Sequence, residues 1–343
     1  MILRIILFLF SFSLSKDFYV SYGWELFEYS QSARTAALGR AVSAYDIGSN
    51  SMVNPVFGVN PKKKVAFTHQ NRFAGIVSND LITFNLGEKK TSFNLIYENI
   101  GDIPDTRNVL LDWGYDGQYG TYDIGEGNGI LDEGERLSKE KISFFNQRKI
   151  GIYGAFSKSI KSQPFGFGIK MISSSLNESL SLGIGIDVGT VKQLKNISYA
   201  FILRNFPTSG IIWENGTIEG TLPSITLGVN KPIYAKRIES LKIHLLFSTE
   251  INLSNRHLGS QIRFRNLSID NSFGLESIFK EIFFCRFGKN NVNNFTGGLG
   301  FNFNYMTIDY AFLNSAFKSS LGRHHIISFN LSYDWIMMQF YKI

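Results

Sequence analysis

The sequence predicts an all-β chain: a transmembrane antiparallel β-barrel of about 14 strands with a short N-terminal helical plug segment. Three observations carry that prediction. Apolar residues fall on every second position over many successive segments. Those segments run roughly 9–11 residues, the length a tilted strand needs to cross a bilayer, and no stretch reaches the roughly 18 apolar residues of a membrane helix. The clearest pair lies between Pro164 and Gly189, where Phe165, Phe167, Ile169 and Met171 alternate with Gly166, Gly168 and Lys170. After a polar turn around Asn177, Leu180, Leu182, Ile184, Ile186 and Val188 alternate with Ser181, Gly183, Gly185 and Asp187. Side chains on a strand point to opposite faces with period two, so each segment has one oily face and one small, polar face. Lipid outside and a polar lumen inside suit the two faces.

Composition agrees. A length of 343 residues allows one large β domain or two ordinary ones. The 31 Phe and 15 Tyr favour strands, and the 32 Gly suit turns and crowded barrel interiors. A mean hydropathy of -0.03 is low for a helical membrane protein, but it is what alternating lipid-facing and lumen-facing residues give. The lone Cys285 excludes an internal disulfide and, between Phe283 and Phe287, reads as a buried or lipid-facing thiol. The net charge of +7 comes from scattered Lys with no basic helix or Arg-rich run, so no nucleic-acid partner is expected.

In chain order, residues 1–15 read as a secretory signal peptide. Arg4 is its positive start, Ile5 to Phe12 its apolar run and Ser13-Leu14-Ser15 its cleavage site. No Cys stands at that point, so a lipoprotein anchor is not expected. Residues 16–63 form the plug segment and 64–343 the barrel, which belongs in the outer membrane of a diderm bacterium, in contact with its lipids. Within the plug, Ser32 to Leu38 is Ala-rich and predicts a short helix, interrupted at Gly39. Packed on a sheet, it would be an ordinary N-terminal helix.

The run Arg34, Ala37, Leu38, Gly39, Ala41 and Ala44, followed by Asp46 and then Asn54-Pro55, resembles the N-terminal segment of the PorV/PorQ family of outer-membrane proteins. The chain departs from the family pattern at Arg40, where a second Gly is common, and at Val56-Phe57. The resemblance implies a FadL-like barrel of about fourteen strands with the N-terminal segment tucked inside. Two functions come with it. The first is an accessory role in type IX secretion-like protein export, with secretion-machinery subunits or secreted cargo proteins as partners. The alternative is FadL-like transport of small hydrophobic molecules through an N-terminal hatch and a lateral opening, which predicts a hydrophobic ligand, a continuous apolar pocket and a kinked strand. A structural or adhesive barrel is the third reading.

The strand series begins at Val65 and Phe67. Ile82, Phe84 and Leu86 then pair across Gly87-Glu88-Lys89-Lys90 with Phe93, Leu95 and Tyr97. Ile150, Ile152 and Phe156 follow, then the pair between Pro164 and Gly189, and then the segments from Ile197, Ile225 and Leu241. A further segment is read at Leu258, Ile262 and Phe264, and the series closes with those from Phe273, Phe283, Leu299, Met306 and Ile327, before a tail from Asp334 to Ile343. Charges among the alternating positions are Lys170, Asp187, Arg204, Lys242, His244, Arg263, Arg265 and Asp309. Facing lipid, each would cost about 2–4 kcal/mol near the midplane, so they are expected in the lumen or at the rims. Arg34 is expected to pair with a lumen carboxylate such as Asp187 or Asp309. Abundant aromatics favour a filled interior.

The longest interruption, Ile100 to Lys141, is expected outside the cell, where long loops go. It carries Asp123, Glu126, Asn128, Ile130, Asp132 and Glu135 around Gly129. These approximate the spacing of oxygen ligands in a calcium loop, with Ile130 giving its carbonyl, except that Asp123 stands one residue early. Ca²⁺ is therefore the expected cofactor, against a plain acidic, solvated loop. The five His, at 69, 244, 257, 324 and 325, lack the spacing of a zinc motif, and adjacent strand residues such as His324 and His325 face opposite ways. No residue pattern points to catalysis, and the chain is read as a non-enzyme.

Overall fold

The computed structural model describes residues 23–59, 63–87, 90–234, 240–253, 260–315 and 323–340. The signal peptide, Leu258 and His257 lie outside the described residues. The chain is a closed antiparallel barrel of 14 strands. They are β1 (Lys64–Arg72), β2 (Val77–Asn85), β3 (Thr91–Asp105), β4 (Ser143–Ile160), β5 (Gln163–Leu176) and β6 (Ser179–Leu194). Next come β7 (Ile197–Arg204, resumed at Ser209–Trp213), β8 (Ile218–Thr221, resumed at Ser224–Tyr234), β9 (Leu241–Asn252) and β10 (Leu267–Phe279). The last are β11 (Phe283–Lys289), β12 (Asn293–Phe303), β13 (Met306–Ser315) and β14 (Arg323–Ser332). Each strand pairs with its sequence neighbour, and β14 returns to β1 from Lys64↔Ser332 to Asn71↔His325. Closure leaves no free edge, which lipid demands of a sheet.

The segment expected at Leu258–Phe264 is not a wall strand. β9 pairs directly with β10 from Leu241↔Phe279 to Asn252↔Ser268, so no edge remains for it, and Ile262–Phe264 only folds back on Leu267–Ile269. The long loop is also slightly shorter than expected, because β3 runs to Asp105 and β4 starts at Ser143.

The alternation sorts the wall into two faces. Phe67, Phe84, Phe93, Phe167, Ile169, Leu245, Phe287 and Phe329 are exposed outwards, while Lys170, Asp187, Arg204, His244 and Asp309 are buried inwards. Lys242 is half-buried near the start of β9, and Arg263 and Arg265 are exposed beyond the start of β10. This apolar outer belt around a polar interior is the build of an outer-membrane protein. Tight turns close one end, such as those after β4 and β6, and the segment 106–142 stands at the other. The tight end is therefore periplasmic and the long segment extracellular.

The core lies in the lumen. Residues 23–59 fill it with α1 (Glu25–Tyr29), α2 (Ala33–Ala37) and a 3₁₀ turn at Pro55–Val59. The helix expected at Ser32–Leu38 forms with those two residues as its caps, and the Ser32 hydroxyl accepts the Thr35 N–H at 3.3 Å. Trp24, Leu26, Phe27 and Met52 pack against Leu81, Ile96, Tyr153 and Ile172. Ala33, Ala36 and Ala37 pack on Ala311, Leu313 and Ile326, and Leu38, Ala41, Val42 and Val53 pack on Leu246. Apolar burial and plug binding are thus the same event. After β14 a third helix, α3 (Tyr333–Phe340), ends the described chain.

Candidate functional site

The residues of the plug motif sit where the plug touches the wall most closely. Gly39 has φ +59, a left-handed conformation that glycine adopts without strain, and a Cβ there would stand 2.6 Å from the Lys289 carbonyl oxygen. Across the contact, Cβ atoms on Gly274 and Gly298 would stand 2.7 Å from the Leu38 carbonyl oxygen and 2.6 Å from the Ala37 Cβ. Asn54 holds a second seat: its amide donates to the Ser43 carbonyl at 2.9 Å, and its Oδ1 accepts the Val56 N–H at 3.2 Å. Cβ atoms on Gly166 and Gly189 would collide with Val56 and Asn54. The small inner face of β5 and β6 is therefore the mould of the Asn54-Pro55 corner.

Charge fixes the plug between those seats. Arg34 meets Glu276 of β10 with Nε to Oε1 at 2.8 Å and Nη2 to Oε2 at 2.7 Å. Arg286 of β11 donates from Nε to the same Glu276 at 2.7 Å and from Nη1 to Asp309 of β13 at 2.7 Å. Tyr45 donates to Glu276 Oε2 at 2.8 Å and stacks on His244, ring centroids 4.2 Å apart. Arg34 thus pairs with a lumen carboxylate as expected, but the acid is Glu276 rather than Asp187 or Asp309. Asp309 is taken by Arg286, and Asp187 by Lys170 at 2.8 Å, because α2 aims Arg34 at β10 and β11. On the other side Arg204 donates to the carbonyls of Met52 and Val53 at 3.1 and 2.7 Å. Sequence reading missed Glu276 and Arg286. Both occupy inward positions in alternating strands, which is the signal that finds them.

Two cavities bracket α2. At the extracellular mouth, about 280 Å³ is lined by Glu25, Tyr29, Gln31, Ala36 and Arg40 of the plug and by Gln70, Arg72, Phe73, Asn290, Leu313, His324 and Ile326, among others, of the wall and its loops. Gln31 is 5% exposed, and its Oε1 has no hydrogen-bond partner. Phe73 stands edge-on to His324 with centroids 5.0 Å apart. At the periplasmic end, about 530 Å³ is lined by Arg34, Lys63, Lys64, Lys242, Tyr305 and Asn330, among others. Ala36 faces the upper space and Arg34 the lower, so α2 is the partition, and two separate spaces stand where the transport reading expects one continuous apolar pocket.

β7 is interrupted at Asn205–Thr208. There the Asn205 N–H donates to the Asp187 side chain at 2.9 Å and the Phe206 N–H to the Ile186 carbonyl at 2.8 Å. A side chain thus substitutes for one backbone acceptor of the ladder.

In the 106–142 segment the expected metal ligands mostly accept backbone N–H groups. Asp123 accepts from Asp116 at 2.9 Å, and Glu135 from Gly114 and from Asp132, both at 2.9 Å. Asn128 accepts from Ile130 and donates to Asp132, both at 2.6 Å. Glu126 turns towards the N–H groups of Gly120 and Tyr122. Asp112, outside the expected set, accepts from Gly127 and Gly129 at 2.8 and 2.7 Å, and the Gly129 bond foremost holds its carboxyl below the ordinary range. Among the described residues no three His, Cys, Asp or Glu are arranged to hold a metal ion. His324 is buried inwards, while His325 faces out and meets the Tyr310 hydroxyl at 2.7 Å, the opposite orientations expected of strand neighbours.

No family model and no curated protein matches the chain. Among solved structures, the Pseudomonas putida toluene transporter TodX is 11% identical with a TM-score of 0.49, over 92% of this chain and 98% of that one. The CymD monoaromatic hydrocarbon channel is 10% identical with a TM-score of 0.47, over 88% and 97%. The outer membrane protein Omp33 of Acinetobacter baumannii is 7% identical with a TM-score of 0.41, over 80% and 100%.

Proposed function

We propose that this outer-membrane barrel takes up small hydrophobic molecules, which enter at the extracellular mouth and pass when α2 yields. The observation that carries the reading is the mouth cavity. Ala36, Phe73, Leu313 and Ile326 offer apolar wall, and the buried, unpartnered Gln31 Oε1 is left for a ligand donor. An apolar wall ringed by polar and charged side chains, Glu25, Arg40, Gln70, Arg72 and Asn290 among them, suits a compact hydrophobe with one hydroxyl or amine. The test fills the cavity: in proteoliposomes, Ala36→Phe is expected to abolish uptake of a fluorescent hydrophobic alcohol that the unaltered barrel passes. Equal uptake by both proteins defeats the reading.

The second reading, an accessory role in protein export, is favoured by the plug's anchoring, since a plug held by ion pairs and two glycine seats stiffens a barrel for docking. Its partners would be secretion-machinery subunits or secreted cargo at the extracellular rim. Extraction of the protein from its own membrane, with bound proteins and bound small molecules both identified, separates the two readings. Calcium in the 106–142 segment is a further proposal, with Asp123, Asp132 and Glu135 exchanging amide donors for the ion. Titration heat that is unchanged by Asp132→Ala with Glu135→Ala removes it.

A further inference from the structure

Among the described residues of the periplasmic end, the third helix stands apart from the tight turns such as those after β4 and β6. Six of the eight residues in α3, Tyr-Asp-Trp-Ile-Met-Met-Gln-Phe, are apolar or aromatic, and its only acid is Asp334 in the first turn. Tyr333, Ile336 and Met337 fall at i, i+3 and i+4 and so share one face, with Asp334 and Gln339 elsewhere on the helix. Among the described elements it packs appreciably only on β14, the strand it extends. On that face Tyr333 is 39% exposed. Apolar surface of this kind needs a cover.

The wall supplies the direction. β14 sends Ile327 and Phe329 into the lipid-facing belt, and α3 follows one residue beyond its end at Ser332, so the oily surface runs from belt to helix without a gap. Tyr and Trp at the start of α3 are the residue types that settle at headgroup level. A cation stands beside them: Lys63 Nζ lies 5.8 Å from the Tyr333 ring, and the Tyr333 N–H donates to the Lys63 carbonyl at 3.1 Å. Lys63 thus places positive charge on the same rim, where lipid phosphates lie.

We infer that α3 lies in the headgroup boundary of the periplasmic leaflet, with Tyr333, Ile336 and Met337 embedded and Asp334 and Gln339 turned to water. The occupant of this surface is lipid, and the helix is an interfacial anchor that fixes the height of the barrel beneath β14 and β1.

The test uses the full barrel in vesicles of phosphatidylethanolamine and phosphatidylglycerol. Subtracting the emission of a Trp335→Phe barrel from that of a Trp335→Phe, Ile336→Trp barrel isolates a tryptophan at position 336. That difference is expected to be blue-shifted, quenched by lipids brominated near the ester and poorly quenched by acrylamide. Strong acrylamide quenching with none from lipid overturns the inference, since the helix is then in water. Quenching by neither reagent also overturns it, since protein then covers the helix. Nitroxides on single cysteines at Ile336 and Gln339, in a Cys285→Ser barrel, give an independent reading. Oxygen is expected to reach position 336 better than a water-soluble nickel chelate does, with the order reversed at 339, and equal order at both sites counts against the inference.

Discussion

Arg34 and Glu276 meet end to end, with two N–H donors of the plug on two carboxylate oxygens of the wall at 2.8 and 2.7 Å, and Glu276 is 0% exposed. Because Arg286 shares that carboxylate, one acid neutralises guanidinium groups from both plug and wall. Glu276→Ala leaves Arg286 with Asp309 alone and strips Arg34 of its carboxylate. Breaking a buried pair from one side costs about 3–5 kcal/mol. The plug is expected to become protease-sensitive at temperatures where the unaltered barrel resists. Arg34→Lys keeps the charge but not the two-pronged geometry, and should fall between the two.

The glycine seats predict a different failure. Gly288→Val puts a branched side chain against Gly39 N and the Leu38 carbonyl carbon. Overpacking of this kind costs about 1–3 kcal/mol. The wall strands keep their pairing, so the folded barrel should still migrate as a compact band in unheated gels while the plug is clipped and small solutes leak through. An intact plug with unchanged permeability would show that the seat tolerates a branched side chain.

The outer belt can be probed at Phe167, which is 53% exposed on β5. At a watery surface Phe167→Lys would be nearly neutral. Facing lipid near the midplane, it is expected to cost about 2–4 kcal/mol in reversible unfolding from bilayers. A loss under about 0.5 kcal/mol, the ordinary range for a surface change, would place this face outside the membrane.

Acid should loosen the 106–142 segment late. The Asp112 carboxyl is held below its ordinary value by the Gly129 N–H, so the stability it lends is present above that ordinary value and is lost as pH falls through the lowered one. Hydrogen exchange at the amides of Gly127 and Gly129 should therefore stay slow through about pH 4, near the ordinary Asp value, and quicken only below it. Asp112→Asn should show fast exchange already at neutral pH.

Period two in the sequence determined the barrel, its lipid face and the inward position of Lys170, Asp187, Arg204, His244 and Asp309, because a strand in lipid leaves each residue only two directions. It also located the plug helix, since Ser32 and the Ala run carry their own capping and propensity. Tertiary structure alone decided the partners. Glu276 and Arg34 lie on segments far apart in the chain, and which lumen carboxylate receives Arg34 depends on how α2 is rotated against glycines of β10, β11 and β12. The Leu258–Phe264 segment failed for a related reason. Its local pattern is strand-like, but a strand joins the wall only where a neighbour offers a free edge, and closure of β9 on β10 had already used it.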